Sequence, residues 1–232
     1  MGPLKDIKII EMAGIGPAPF CGMVLADMGA EVIKIEPLSG DLARAIPPII
    51  DGKSAAFMTL NRNKKSLALD LKSDNGRSLT LEILKSANVI IENNRPGVMQ
   101  RLGLGEEDVK KINNKIVYTS VSGFGQTGEL KNRAGINLII EALSGTLSVM
   151  GEKGEIPPRP GLQTADILGA MFATYSTLAG LIGQIQHNQG MHADVALIEA
   201  SIASAVWETT EYLSSGIVTE QLGHSHRASA PY

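Results

Sequence analysis

Ile7-Lys8-Ile9-Ile10-Glu11-Met12, then Gly14-Ile15-Gly16-Pro17 opening a run to Met28, then Gly29, then Glu31-Val32-Ile33-Lys34-Ile35-Glu36: this stretch decides the fold. Its first and last segments are short, apolar and rich in β-branched residues, as buried strands are. Between them proline stands early and glycine follows the end, the punctuation of an α-helix. Strand, helix and strand in so short a span make a βαβ unit with parallel strands.

The alternation continues outward. Ser66-Leu67-Ala68-Leu69-Asp70-Leu71 alternates as a third strand, and a helix is predicted over about 75–85. Asn88–Ile91 and Ile116–Val121 read as strands, with a short helix over 105–111 whose acids come early and lysines late. Helices are predicted over 135–143 and from Asp166 to Gln186, then a strand over 193–197 and a helix over 199–214. Alternating β and α units give an α/β protein with a doubly wound, mostly parallel sheet. Gly223 to Tyr232 has loop composition and no element.

Composition narrows the function. The chain has 232 residues, 44% hydrophobic and 19% charged, ordinary for a globular protein. A net charge of −3 without a polybasic run argues against nucleic acid as partner. The single cysteine, Cys21, excludes an internal disulfide framework and fits a cytoplasmic location. The sequence opens directly on a strand, so no signal peptide is expected. Ile167 to Gln186 is the one apolar stretch of membrane length; its Gly, Thr, Ser and Tyr content reads as a buried helix, so no membrane partner is expected. His187, His192, His224 and His226 are scattered, and no metal site is expected.

Five segments are candidates for chemistry. Gly14-Ile15-Gly16-Pro17-Ala18-Pro19, with Glu36 ending the next strand, imitates a dinucleotide-binding fingerprint. Pro19 replaces the third glycine, however, and Pro17 and Pro19 remove N–H donors from the turn that should cradle a pyrophosphate. Asn61-Arg62-Asn63-Lys64-Lys65 is a basic loop, and Glu92 to Gly103 crowds amides and guanidiniums after a strand's carboxyl end, where open α/β sheets hold ligands. Ser122-Gly123-Phe124-Gly125-Gln126-Thr127-Gly128 permits close backbone approach without being a nucleophile elbow or a P-loop. Asp166 is a lone carboxylate at the start of a long uncharged helix. It is either a helix cap or a nucleophile held ionised at the helix end.

Taken in order, Leu25–Glu36, Asn61–Asp70, Glu92–Gly103 with its Arg95-Pro96-Gly97 centre, Ser122–Gly128, Ala165-Asp166-Ile167 and Gly190–Val195 resemble the family III CoA-transferases, the CaiB/BaiF and formyl-CoA transferase type. The resemblance covers essentially the whole chain. It implies a Rossmann-like large domain in residues 1–215, with 216–232 as the start of a linker toward a small domain, since family members are nearly twice as long. It implies exchange of CoA between an acyl-CoA and a free carboxylic acid, through an aspartyl anhydride and an aspartyl-CoA thioester on Asp166. Ile15 and Gly16 would line the thiol end of coenzyme A; Lys64, Asn93, Asn94, Arg101 and Arg133 would contact the rest of it. Gly16 stands where some members carry glutamine, and Pro37 where some carry arginine. An interlocked homodimer is implied. A branch of the same fold racemises α-methylacyl-CoA using a histidine in an Arg-Ala-Gly-His-Asp segment; here the segment reads Arg133-Ala134-Gly135-Ile136-Asn137, and isoleucine moves no proton. The remaining alternative is a non-catalytic or shortened subunit.

Overall fold

The computed structural model describes residues 2–230. The opening unit forms β1 (Lys8–Met12), α1 (Pro17–Asp27) and β2 (Glu31–Glu36). A hairpin of β3 (Ile49–Ile50) and β4 (Lys53–Ser54) and a short helix, α2 (Ala55–Leu60), precede β5 (Lys64–Ala68). There follow α3 (Asp74–Leu84), β6 (Val89–Glu92), α4 (Val98–Arg101), α5 (Glu106–Ile112) and β7 (Val117–Ser122). The chain continues through α6 (Asn137–Leu143), α7 (Thr164–His187), β8 (Met191–Ala196), α8 (Leu197–Ser204) and α9 (Val206–Ser215).

Six strands form one sheet in the order β5-β2-β1-β6-β7-β8, and every pairing is parallel. This is the doubly wound arrangement expected from the alternation. Successive strand residues face opposite layers, and two cores result. Ile9, Val89, Ile91, Val117 and Val195 pack with Cys21, Leu25 and Leu181 on one face. Ile10, Ile35, Ile90 and Tyr118 pack with Leu84, Leu104 and Val109 on the other. Covering both faces is what lets the central strands be apolar throughout. α7 is long and apolar enough to cross a membrane, yet it lies on β7 and β8 and against α1 and α8. Gly180 permits that approach: a Cβ there would stand 2.7 Å from Val117 Cγ1.

Some boundaries differ from expectation. The third strand is Lys64–Ala68 rather than 66–71, because its ladder with β2 runs from Val32↔Lys64 to Glu36↔Ala68. The helix expected over 199–214 is two helices, broken at Ala205 (φ −87°, ψ 47°). The hairpin and α2 carry no periodicity strong enough to announce them. Residues 216–230 form no helix or strand but are tied down: Gly223 N–H donates to the Gly151 carbonyl at 3.0 Å, and Arg227 pairs with Glu208 and Glu211 at 2.6 and 2.9 Å. The last two positions of the expected linker, Pro231 and Tyr232, lie outside the described residues.

Candidate active site

The strand order reverses between β1 and β6, and the crevice beyond such a reversal is where doubly wound sheets bind ligands. Two loops face each other there. Gly14 N–H donates to Asn93 Oδ1 at 3.0 Å, and Asn93 Nδ2 donates back to the Ile15 carbonyl at 3.0 Å. Asn94 Nδ2 donates to the Met12 carbonyl at 3.2 Å, while its N–H is held by the Glu92 carboxylate at 2.7 Å. Both side-chain amides that the sequence set against a ligand thus brace the loop after β1.

That loop ends at Gly16, with φ 97° and ψ −134°, a backbone conformation that side chains disfavour. A Cβ on Gly16 would stand 3.5 Å from Asp166 Oδ2. Asp166 therefore faces bare backbone, where a reacting group has room.

Asp166 is the third residue of α7, after the N-cap Gln163. The N–H groups of the first three helical residues are among the four at a helix start that lack partners of their own. Here Thr164 and Ala165 donate to Glu141 Oε1 at 3.0 and 3.4 Å, and Asp166 donates to Asn137 Oδ1 at 3.0 Å. The Thr164 hydroxyl also donates to Glu141. All three donors are capped from α6, and the Asp166 carboxylate does no capping itself. A free helix end would hold this carboxylate ionised; the structure instead pushes its pKa up to about 6, through burial first and the charge of Glu141 second. The helix end fails to lower it because Glu141 already occupies the donors. At pH 7 roughly nine in ten such groups are still ionised.

Lys64 points inward. Its ammonium donates to Glu11 at 2.7 Å, the Pro19 carbonyl at 2.8 Å and Asn61 Oδ1 at 3.2 Å, which commits all three of its hydrogens. No hydrogen is left for coenzyme A. Arg101 is exposed beside a cavity of about 420 Å³ that also takes in Lys131 and Gln126. Arg133 is exposed, its guanidinium 5.9 Å from the Phe124 ring centre. Ile15 lines a larger cavity, of about 610 Å³, between the ends of β1, β2 and β5. Its apolar walls include Leu38, Leu69, Met99 and Leu102, with Lys72 on the lining. Asn94 shares this cavity.

Glu36, the would-be ribose acid of the dinucleotide pattern, is fully engaged. Arg44 donates to it at 2.7 and 2.6 Å, Asp41 N–H at 2.9 Å, and the Ser66 hydroxyl as well. The Arg44 guanidinium, with Ser66 and the Asp41 amide, holds its pKa down at about 2. It has no lone pair to spare for a ribose, so the dinucleotide reading falls on geometry as it does on sequence. Among the described residues no cluster of His, Cys, Asp and Glu could hold a metal.

Glu141, Asn137, Leu69 and Lys72 are site residues the sequence reading passed over. Glu141 left one signal: a lone acid inside the apolar run Leu138-Ile139-Ile140-Glu141-Ala142-Leu143. Leu69 and Leu71 were absorbed into a strand; they are cavity wall instead.

These features define a doubly wound α/β protein with a ligand crevice at its switch point and an uncapped carboxylate presented beside it. Residues 4–232 match the profile of CoA-transferase family III. The chain is 35% identical over 234 residues to succinyl-CoA:glutarate CoA-transferase from Mus musculus, covering 100% of this chain and 54% of that protein. It is 34% identical over 233 residues to acetyl-CoA:oxalate CoA-transferase from Acetobacter aceti, covering 100% and 60%. A crystal structure of a CaiB/BaiF family protein from Brucella suis superposes with a TM-score of 0.94 at 33% identity, over 100% of this chain and 62% of that one. The chain belongs to the family III CoA-transferases. It spans about half the length of the curated relatives it matches.

Proposed function

We propose that the protein moves CoA from an acyl-CoA thioester to a free carboxylic acid, with Asp166 as nucleophile. The observation that carries this is the Asp166 carboxylate itself: ionised at neutral pH, unusually basic, released from capping and set against Gly16. An Asp166 oxygen attacks the thioester carbonyl; the C–S bond breaks, and the acyl group becomes a mixed anhydride with Asp166. The departing thiolate attacks the aspartyl carbonyl, giving an aspartyl-CoA thioester and releasing the first acid as carboxylate. The acceptor carboxylate attacks this thioester and expels the thiolate, forming a second anhydride. Attack of the thiolate on the acceptor carbonyl yields the new acyl-CoA and restores Asp166. No net proton or electron is exchanged, and an already ionised nucleophile needs no general base. The racemase alternative lacks a proton carrier opposite Asp166: Ile136 has none, and Asn137 uses its amide oxygen on the Asp166 N–H.

The larger cavity suits the nucleotide of coenzyme A: apolar walls for the base, Lys72 for a phosphate. Arg101 and Lys131 in the neighbouring cavity supply further positive charge. Lys72→Ala and Arg101→Ala should each raise KM for acyl-CoA roughly tenfold, as loss of a charge-assisted bond does, with kcat within about twofold. Initial-rate kinetics would show it; an unchanged KM in both variants would remove this placement. A homodimer is proposed with it, supported by the exposed apolar residues Ile185, Trp207 and Leu213, which such an assembly would cover. A cytoplasmic site of action is supported by the free, buried Cys21.

The covalent route is testable on full-length protein. Quenched after incubation with acyl-CoA and no acceptor, it should carry CoA on the peptide containing Asp166, released by hydroxylamine. Intact exchange without any adduct would exclude the aspartyl intermediate.

A further inference from the structure

We propose that Glu141 is a positioning residue for Asp166: by capping α7 from the neighbouring helix, it relieves the nucleophile of that task and leaves its carboxylate turned to Gly16. The proposal rests on the assignment of Asp166 as nucleophile.

A carboxylate three residues into a helix tends to fold back on the free donors of the first turn, as in a capping box. Lone pairs so engaged are poor at attacking a carbonyl. In this chain the Thr164, Ala165 and Asp166 donors are all taken from α6. Glu141 holds Thr164 and Ala165, and Asn137, one turn earlier, holds Asp166. Glu141 is only 1% exposed, and its Oε2 has no hydrogen-bond partner among the described residues. A buried carboxylate with an unsatisfied oxygen is an expensive way to cap a helix. A neutral amide would accept the same N–H groups at less cost. The charge is more than the cap requires, and what it acts on is Asp166.

The surroundings of Asp166 leave Glu141 as the charge that matters. The α1 end contributes Gly16, Pro17 and Pro19, without charge. From α8 comes Glu199, which is exposed, and from β8 comes Asp194, whose carboxylate accepts the Gln126 N–H at 2.9 Å. Arg133, before α6, is exposed. Of all these only Glu141 acts on Asp166, making it more basic and its lone pairs more reactive.

Two variants of the full-length protein decide the matter. Glu141→Ala should lose kcat by roughly tenfold to a hundredfold, the scale of a misplaced reacting group, with KM for acyl-CoA within about twofold. Glu141→Gln, which keeps the acceptor and drops the charge, should lose far less kcat above pH 8 than Glu141→Ala, only the cost of a less basic carboxylate, while the acid limb of its pH–rate profile moves to lower pH. A purely structural cap would lower the folded fraction but leave that limb in place. Wild-type kcat in Glu141→Ala, or an unmoved acid limb in Glu141→Gln, overturns the proposal. If Glu141→Ala does not fold, the acid limb of Glu141→Gln decides alone. An Asp166→Ala protein that still exchanges CoA would instead remove the nucleophile assignment beneath it.

Discussion

An Asp166→Asn protein should exchange no CoA and should be more stable than the native chain at neutral pH. The loss follows from chemistry: an amide has no anionic oxygen to attack a thioester, and removing a nucleophile costs on the order of 10⁴-fold or more in kcat. The gain follows from linkage. Folding raises the Asp166 pKa from 3.8 to about 6, so the fold favours the protonated form. The resulting penalty is absent below the unfolded value, grows as pH rises and is complete above the folded value. At full size it amounts to at most about 3 kcal/mol. Asparagine, being neutral, escapes it. Urea unfolding at pH 7.5 should find the variant more stable, and at pH 3.5 the advantage should vanish. Exchange within tenfold of wild type would sink the nucleophile; a pH-independent stability change would sink the buried-charge account.

Glu11→Ala should be among the most destabilising single changes in the protein. Glu11 and Lys34 are register partners on β1 and β2, so their side chains lie side by side in the sheet. Lys34 bonds Glu11 at 3.2 Å, Asp41 at 2.8 Å and the Ala13 carbonyl. Lys64 reaches the other Glu11 oxygen at 2.7 Å. Both ammonium groups are 2% exposed at the side chain, and Glu11 is fully buried. Truncating Glu11 leaves two buried cations and one carboxylate among them, and breaking a buried pair from one side costs about 3–5 kcal/mol. Burial raises the Glu11 pKa while Lys64 and Lys34 pull it down, so the network is a balance of desolvation against pairing. The change should also reach the site, because the two lysines hold the Ala13 and Pro19 carbonyls on either side of the Gly14–Gly16 loop. Thermal unfolding would measure the effect; a loss under about 1 kcal/mol would mean that the cations find water or other partners.

Much of this architecture is legible in the chain because its signals are local. Pro17, Gly29 and the β-branched runs bound the first βαβ unit to within a residue of where it lies. Asp166 stands out because a charge at the edge of a long neutral helix has few bland explanations. The cap explanation could be removed only by seeing who else caps the helix, and Glu141 arrives from another element. Lys64 shows the limit from the other side. In sequence it is one of two lysines in a basic loop before a strand; in space it meets Glu11, 53 positions away, and is consumed. Asn93 and Asn94 are likewise defined by long-range carbonyls and amides that no spacing rule contains. Leu69 alternates as a strand residue would, yet the ladder stops at Ala68, and only the cavity gives Leu69 its role.

The Thr164, Ala165 and Asp166 donors at the head of α7 are satisfied sideways, by α6, and not by the chain that leads into them. Residues 156–162, the exposed last stretch of the connection between those two helices, thus take no part in capping the helix that carries the Asp166 carboxylate. Lengthening such a connection is thermodynamically mild, about 0.6 kcal/mol per doubling. The stretch is a tether in the literal sense: it can be respelled, extended or loaded with a tag while Asp166 keeps its place. Sequence drift in the protein has a safe harbour immediately upstream of its most sensitive atom.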